Sequence, residues 1–246
     1  MSKIITFEYP LNEKMRSYLR FEFLFLQLTK SKQFEAESDA TVFLKALFEL
    51  LELSERCDIR HDLVKDLREL TVQMKGWLKH EEVNLQAVSE LSSEIETLIE
   101  AVLAMPKQLR YFKSNRFLTS IKQRFSIPSG CCNFDLPQYH FWLSESAEKR
   151  NKDAEVWLSH FSALQKALFL YLKIKRSQGV SSTQTAVNGF YQGAVEHCCF
   201  VTIELETSFA VYPMISGHKD RYSIRFMSTD IENHLAENIK FKQICC

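Results

Sequence analysis

Glycine and proline are scarce in this sequence, with six and five residues among 246. Only Pro10, Gly76 and Pro106 precede residue 127, so almost nothing interrupts regular structure in the first half of the chain. The scarcity predicts helices there. It also excludes a glycine-rich phosphate-binding loop, and the motifs HExxH and GxSxG are absent as well. We therefore expect no cofactor.

An excess of charge of either sign is also missing, since 31 basic residues balance 31 acidic ones and the pI is about 7.0. No overall field draws such a chain to nucleic acid or to an anionic membrane. The longest apolar stretches, such as 23–26 and 167–172, are far shorter than the roughly 20 residues that span a bilayer. Residues 1–10 lack the pattern of a secretory signal. We expect a protein of a reducing compartment whose seven cysteines are thiols.

Apolar residues recur at three- and four-residue steps through much of 11–177, which predicts an α-helical domain. We expect five helices before residue 127, the fourth after Asn84 and the fifth from Pro106 onward, and two more over 147–160 and 163–176. Segment 127–143 contains two prolines and a glycine. It predicts a turn and short strands that interrupt the helices and could join a sheet.

After residue 189 the apolar period changes to two. Val201, Ile203 and Leu205 alternate with polar residues, and so do Tyr222, Ile224 and Phe226. The N-terminal residues alternate in the same way, so we predict an antiparallel β-domain made of 1–10 and 189–246, with the polar segment 178–189 as a linker. The expected fold class is α+β, a mainly α-helical bundle plus a smaller antiparallel sheet that includes both chain ends.

The charges are balanced overall but not locally. From 81 to 100 there are six acids and no base, whereas from 101 to 134 there are six bases and no acid. Either two helices of opposite charge pair through exposed salt bridges, or the basic run forms an anion-binding face.

Arg221, Ser223 and Arg225 lie at every second position of a predicted strand, so they project from one face, opposite Tyr222, Ile224 and Phe226. Two guanidiniums on one face repel each other unless an anion separates them. The pair therefore favours a carboxylate or phosphate ligand. The alternative is an intramolecular Glu. Arg16 and Arg20 form a similar pair on the first helix, where Glu13 and Glu22 are the local acids.

Three pairs of adjacent cysteines occur, at 131 and 132, 198 and 199, and 245 and 246. Zinc sites need about two residues between cysteine ligands, so the metal signal is weak and we predict no metal site. His140 could serve a cysteine nucleophile, but no acidic or amide partner is indicated by spacing. A zinc or thiol enzyme is thus a minor hypothesis.

Several longer segments of the sequence resemble those of a known protein family. They are FEYPLNEKMRSYLRFEFL at 7–24, SIPSGCCNFDLP at 126–137, NGFYQ at 188–192, YPMISGHKDRYSIRFM at 212–227, and the terminal Cys245 and Cys246. In content and order these segments resemble the ZapD family of cell division proteins. Residues 31–105 and 144–187 contribute helical pattern only.

The resemblance implies a cytoplasmic bacterial homodimer with a helical domain and a β-domain. It implies binding to the C-terminal tail of FtsZ, bundling of FtsZ protofilaments and promotion of Z-ring assembly at mid-cell, without catalysis, cofactor, nucleic acid or membrane. The family's basic tail-binding positions fall on Arg20, Arg116, His140, Arg221 and Arg225, all present here. Arg16 and Lys219 are additional candidates. A nucleic-acid-binding protein that uses the same basic residues is the alternative.

Overall fold

The computed structural model describes residues 3–34, 37–77, 84–105, 108–195, 198–218, 220–229 and 238–246. The chain divides into two compact units. The helical unit is Arg20–Tyr171, and the β-unit is Met1–Leu19 with Leu172–Cys246. Helices and antiparallel strands occupy the regions where the two apolar periods predict them, so the α+β class is confirmed.

Nine α-helices lie in the described residues. They are α1 Glu13–Ser31, α2 Glu37–Arg56, α3 Arg60–Trp77, α4 Leu85–Ala104, α5 Gln108–Ser114, α6 Arg116–Phe125, α7 Pro137–Ser144, α8 Ala147–Ser159 and α9 Ser162–Ser177. Asn84 caps α4 as predicted, because its side chain accepts a hydrogen bond from the N–H of Ala87 at 3.1 Å. Within the described part of the chain, no helix is both long and apolar enough to span a bilayer.

Two predictions for the second half of the helical domain were wrong. One helix was expected from Pro106 to residue 126; Pro106 lies outside the described residues, and the helix is broken at Asn115, whose side chain accepts a hydrogen bond from the N–H of Leu118 at 3.1 Å and starts α6. The strands expected within 127–143 do not form. Turns lead to Leu136, and Pro137 then opens α7, because a proline in the first helical turn loses no hydrogen bond.

Aromatic side chains fill the core of the helical unit. Phe34 packs edge-on against Phe43 and Trp142, with ring centroids 5.3 and 5.7 Å apart, and Trp142 lies 5.9 Å from Trp157. These contacts join α2, α7 and α8 through rings that are almost fully buried. Edge-to-face packing adds about 0.5–1.5 kcal/mol per pair beyond the burial of area.

The β-unit contains two antiparallel sheets. Sheet A has the order β1 Ile4–Pro10, β4 Phe200–Glu206, β7 Ile239–Cys245 and β2 Val180–Ala186, while sheet B has the order β3 Phe190–Ala194, β6 Arg221–Ser228 and β5 Val211–His218. Strands near both chain ends therefore share sheet A, as predicted. The predicted linker at 178–189 is wrong, since β2 occupies most of it and pairs with β7 over its whole length. Its Ser- and Thr-rich sequence suits an edge strand with little apolar burial.

The prediction that all seven cysteines are thiols is also wrong. A disulfide joins Cys198, just before β4, to Cys245 at the end of β7. The cysteines outside this disulfide are Cys57, Cys131, Cys132, Cys199 and Cys246. No local pattern indicates this bond, because the two residues are 47 positions apart and meet only through the pairing of β4 with β7.

Candidate functional site

Strand β6 has one buried and one exposed face, as its alternating sequence predicts. Tyr222, Ile224 and Phe226 are almost completely buried and belong to the apolar core of the β-unit. Arg221 and Arg225 point the opposite way and are exposed. Burial of the inner face fixes the register of the strand, since a shift by one residue would bury both arginines.

Tyr222 anchors this inner face. Its ring lies across Gly193 of β3, where an added Cβ would come within 2.4 Å of the ring atom Cζ. Burial raises the pKa of the Tyr222 phenol far above its ordinary value, and the neighbouring Tyr191 contributes to the rise. The phenol therefore stays neutral, and the strand behind the arginines is tightly packed.

On the outer face, large apolar side chains surround Arg225. In the sheet register Arg225 lies between Phe190 of β3 and Met214 of β5, and Met227 lies opposite Tyr212. Cross-strand neighbours share a face, so these groups form one exposed surface. We call it the Arg face: Phe190 (45% exposed), Tyr212 (40%), Met214 (59%), Met227 (39%), Arg221 and Arg225.

The charges of the Arg face are uncompensated within the described residues, where no carboxylate pairs with Arg221 or Arg225. Their Cα atoms are four residues apart on a strand, a span of about 13 Å. Ser223 lies between them, and its hydroxyl is hydrogen-bonded to that of Ser216 at 2.8 Å. The guanidiniums thus flank a polar gap, and each is available to an anion.

Arg16, in contrast, is engaged within the β-unit. Its Nε donates to Oε1 of Glu13 at 3.1 Å, and its guanidinium lies over the ring of Tyr9, 5.6 Å from the centroid. Hydrogen bonding to Tyr9 raises the pKa of Arg16, with a smaller contribution from Glu13, although partial burial opposes the rise. The local acid foreseen as a partner is therefore present, and these contacts give Arg16 a structural role.

Arg20 and Arg116 are exposed residues of the helical unit, and no carboxylate among the described residues pairs with either. Arg20 directly precedes Phe21, and Arg116 follows Ser114 by two residues. Phe21 and Ser114 both line a cavity of about 760 Å³. Arg20 and Arg116 themselves are not among the described residues that line it. Its wall also contains Ile59, Phe161, Leu164, Arg60, Arg110 and Lys113.

His140 lies on α7 and is exposed. Its neighbour Tyr139 is buried, with its hydroxyl 3.2 Å from that of Thr41. The end of the same short helix is held by Arg150, whose Nη1 donates to the carbonyls of Leu143 at 2.6 Å and Glu145 at 2.5 Å. These contacts fix the helix that presents the imidazole. Lys219 lies outside the described residues.

The ion pairs found in the described residues do not join the basic run, 101–134, to the acidic run, 81–100. Lys113 pairs with Glu55 of α2 at 3.2 Å, and Arg124 pairs with Asp135 at 3.4 Å. The acidic helix α4 packs against α3 instead. The interpretation of two oppositely charged helices joined by salt bridges therefore fails for these two residues.

The chemistry of a metal or thiol enzyme finds little support in the geometry. Among the described residues, no group of three His, Cys, Asp or Glu side chains is placed to hold a metal ion. Burial raises the pKa of the Cys131 thiol. An activated cysteine nucleophile has a lowered pKa, so this thiol is protonated at neutral pH and poorly reactive.

Sequence reasoning missed the apolar members of the Arg face: Phe190, Tyr212, Met214 and Met227. Each of these side chains is unremarkable in its own strand. Their common position depends on the pairing of β3 and β5 with β6, which is a long-range property of the sheet. The one available signal was the alternation within 212–216, which places Tyr212 and Met214 on the same side.

Comparison with known proteins gives a consistent result. The sequence profile of the ZapD family, described as a cell division protein, matches residues 19–225. A cell division protein ZapD from Pectobacterium carotovorum is 37% identical over 246 residues, which cover 100% of this chain and 98% of that protein. Proteins of the same name from Vibrio vulnificus and Photobacterium profundum are 36% and 37% identical over 240 residues, covering 98% of both chains in each case.

The matched region ends within β6 and includes Arg221 and Arg225, and it also includes Arg20, Arg116 and His140. Full-length identity above one third extends the likeness over both the helical unit and the β-unit. The chain belongs to the ZapD family of cell division proteins.

Proposed function

We propose that this protein binds the C-terminal tail of FtsZ, cross-links FtsZ protofilaments into bundles and so promotes Z-ring assembly at mid-cell in the cytoplasm. The protein acts without catalysis or cofactor. Membership of the ZapD family supports a role in cell division. The observation that carries the finer proposal is the Arg face, where two exposed guanidiniums have no carboxylate partner among the described residues and one of them, that of Arg225, lies among exposed apolar side chains.

The composition of the Arg face suits a short acidic peptide that also carries apolar residues. Guanidiniums bind carboxylates in a planar, two-bond geometry. Tyr, Phe, Met and Arg are enriched in protein interfaces, where the apolar groups supply area and the arginines supply anchors. A free tail peptide therefore pairs its acids with Arg221 and Arg225 and packs its apolar side chains on Phe190 and Met214.

The helical unit supplies a second group of tail contacts. Arg20 and Arg116 are exposed there and are close in sequence to Phe21 and Ser114, which line a cavity whose wall also contains Arg110 and Lys113. That combination of apolar surface and basic border has the same chemistry as the Arg face. His140 adds a group that carries a positive charge when protonated. Arg16 and Lys219 are secondary candidates, and the contacts of Arg16 with Glu13 and Tyr9 give it the weaker case.

Cross-linking requires at least two tail sites in one particle, so we propose that the protein acts as a homodimer. A single contact of exposed charges is weak. Two linked sites on a filament that displays many tails raise net binding by about 10²–10⁴ through effective concentration. A homodimer that holds tails of two different filaments joins them, and many such links produce a bundle.

The decisive experiment is co-sedimentation with FtsZ filaments that carry or lack the C-terminal tail. We expect the protein to pellet with intact FtsZ and bundle it, and to remain in the supernatant with the tailless form. Equal pelleting with both forms would contradict tail binding.

A double variant tests the Arg face itself. Arg221→Glu with Arg225→Glu should weaken binding of a fluorescent tail peptide at least tenfold, because two attractive charges become repulsive. Lys173→Glu with Lys240→Glu is the matched control, since it changes the net charge equally at two exposed lysines of the β-unit. Equal effects of both variants would point to net charge rather than to this surface.

Single-stranded nucleic acid is the second candidate ligand, because aromatic groups and arginines on a sheet face also suit stacked bases and phosphates. The neutral net charge argues against it. Filter binding with a labelled oligonucleotide separates the two candidates. We expect no retention at physiological salt. Saturable retention that is lost in the Arg221→Glu and Arg225→Glu variant would favour nucleic acid.

A further inference from the structure

Four cysteines meet at one end of sheet A. Cys198 and Cys245 are joined by the disulfide, and the neighbours Cys199 and Cys246 are free. The backbone N–H of Cys199 donates to the carbonyl of Cys246 at 2.6 Å, and the N–H of Cys246 donates to the carbonyl of Phe200 at 3.0 Å. Backbone hydrogen bonds and the disulfide thus both hold residues 245 and 246 against β4 and the residues just before it.

The disulfide closes a large ring. Its cysteines are 47 residues apart, and the ring contains β4, β5, β6 and nearly all of β7. Strand β6, which carries Arg221 and Arg225, lies within it. A cross-link of this span restricts the unfolded chain strongly and therefore stabilises the folded state. The stability of the strands behind the Arg face thus depends on the oxidation state of one cysteine pair.

We propose that Cys198 and Cys245 form a reversible redox site that switches the β-unit between a covalently locked and an unlocked state. The inference does not depend on FtsZ binding. In a reducing compartment the bond is exposed to dithiol reductants, whereas a structural disulfide in a secreted protein is not. The two states differ in one bond and two hydrogen atoms.

Reduction proceeds by thiol–disulfide exchange. The thiolate of a dithiol attacks Sγ of Cys245, which is the more exposed cysteine of the pair, and Cys198 leaves as a thiolate that takes up a proton. The second thiol of the reductant then displaces Cys245, so the reductant becomes a cyclic disulfide and both cysteines become thiols. Glutathione disulfide reverses the reaction, taking up two electrons and two protons to give two glutathione molecules.

The neighbouring thiol of Cys246 competes poorly for this bond at neutral pH. Cys246 is the free thiol at the end of the chain, beside the bond. Burial raises the pKa of its thiol, although a hydrogen bond with Thr202 opposes the rise. Since only the thiolate attacks a disulfide, Cys246 exchanges slowly. The geometry therefore favours the Cys198–Cys245 pair over an alternative bond through Cys246.

Mass spectrometry of the full chain tests the bond. Protein incubated with glutathione disulfide, denatured and alkylated should carry five alkyl groups, and after treatment with dithiothreitol it should carry seven. Fragmentation of the linked peptide should place the bond between Cys198 and Cys245. Seven alkyl groups in both samples, or a bond through Cys199 or Cys246, would overturn the proposal.

Thermal denaturation of wild-type protein tests whether the disulfide stabilises the folded state. Dithiothreitol should lower the melting temperature by about 5–10 °C, given the usual contribution of a disulfide and the size of the chain. Cys245→Ser should melt at the lower temperature with or without reductant. The control Cys57→Ser, which changes a cysteine of the helical unit that is not part of the disulfide, should keep the full shift. A melting temperature that does not respond to the reductant in the wild type would overturn the switch.

Discussion

Individual arginines of this chain have different roles although the sequence presents them as similar pairs. Arg16 donates to Glu13 and lies over the ring of Tyr9. Arg221 and Arg225 have no carboxylate partner among the described residues, and Arg225 lies among exposed apolar groups. Neighbouring acids and aromatic rings therefore decide which guanidinium remains available to a ligand. Charge and spacing alone do not.

Gly193 provides a prediction at the scale of one residue. Gly193→Ala should lower the free energy of unfolding by about 1–3 kcal/mol, because the new methyl group would lie 2.4 Å from Cζ of the buried Tyr222 ring, and the packed core leaves that ring little room to move. Denaturant unfolding measures the change.

Gly76 is the matched control for this substitution. It lies within α3, and nothing within 4 Å would meet its Cβ. Gly76→Ala should therefore stabilise the protein by about 0.5–1 kcal/mol, since alanine favours the helix. If both variants were stabilised, the close approach of Tyr222 to β3 would be wrong.

At the scale of elements, one substitution in helix α6 should change the stability of the protein and its tail binding in opposite directions. Arg116 is its first residue, where a positive charge opposes the helix dipole. Arg116→Glu should raise the free energy of unfolding by about 0.5–1 kcal/mol. The same change should weaken tail binding about fivefold, because it removes one attractive charge from the proposed site.

Chemical denaturation and fluorescence anisotropy with a tail peptide measure the two effects of Arg116→Glu. Lys122→Glu is the control, because Lys122 lies in the last turn of the same helix, where the dipole favours a base. It should destabilise the protein. Tail binding that stays unchanged in Arg116→Glu would remove this residue from the site.

The elements that the sequence predicts well are those with a strong apolar period. In β6, Tyr222, Ile224 and Phe226 show the buried face, and hence the side on which the arginines lie. The elements it misses have weak or long-range signals. Strand β2 is rich in Ser and Thr and forms only because β7 offers it a partner. The break between α5 and α6 depends on one asparagine cap, with no glycine or proline to mark it.

The site was only partly predictable for the same reason. Arg221 and Arg225 follow from the alternation of one strand, but their apolar neighbours Phe190 and Met214 follow from the register of three strands. The disulfide between Cys198 and Cys245 likewise depends on strand pairing that brings distant residues together. Local patterns reveal which face a side chain occupies, and tertiary pairing decides what lies beside it.

At the scale of the whole molecule, the net charge is zero, so long-range attraction to an acidic partner must come from local surfaces. Exposed charge pairs are screened over roughly 10 Å at 0.1 M salt. Raising the salt from roughly 50 to 500 mM should therefore weaken binding of the tail peptide about tenfold. Titrations by fluorescence anisotropy at several salt concentrations measure the slope.

The Arg221→Glu and Arg225→Glu variant distinguishes screening of the Arg face from a general effect of salt. Its residual binding should no longer weaken as salt is added, because screening now reduces the repulsion between the introduced carboxylates and the acidic tail. The Lys173→Glu and Lys240→Glu control should keep the wild-type slope. A wild-type affinity that stays constant across the salt range would mean that apolar contacts alone hold the tail, since burial of apolar area does not weaken as ions are added. The arginines would then have no part in tail recognition.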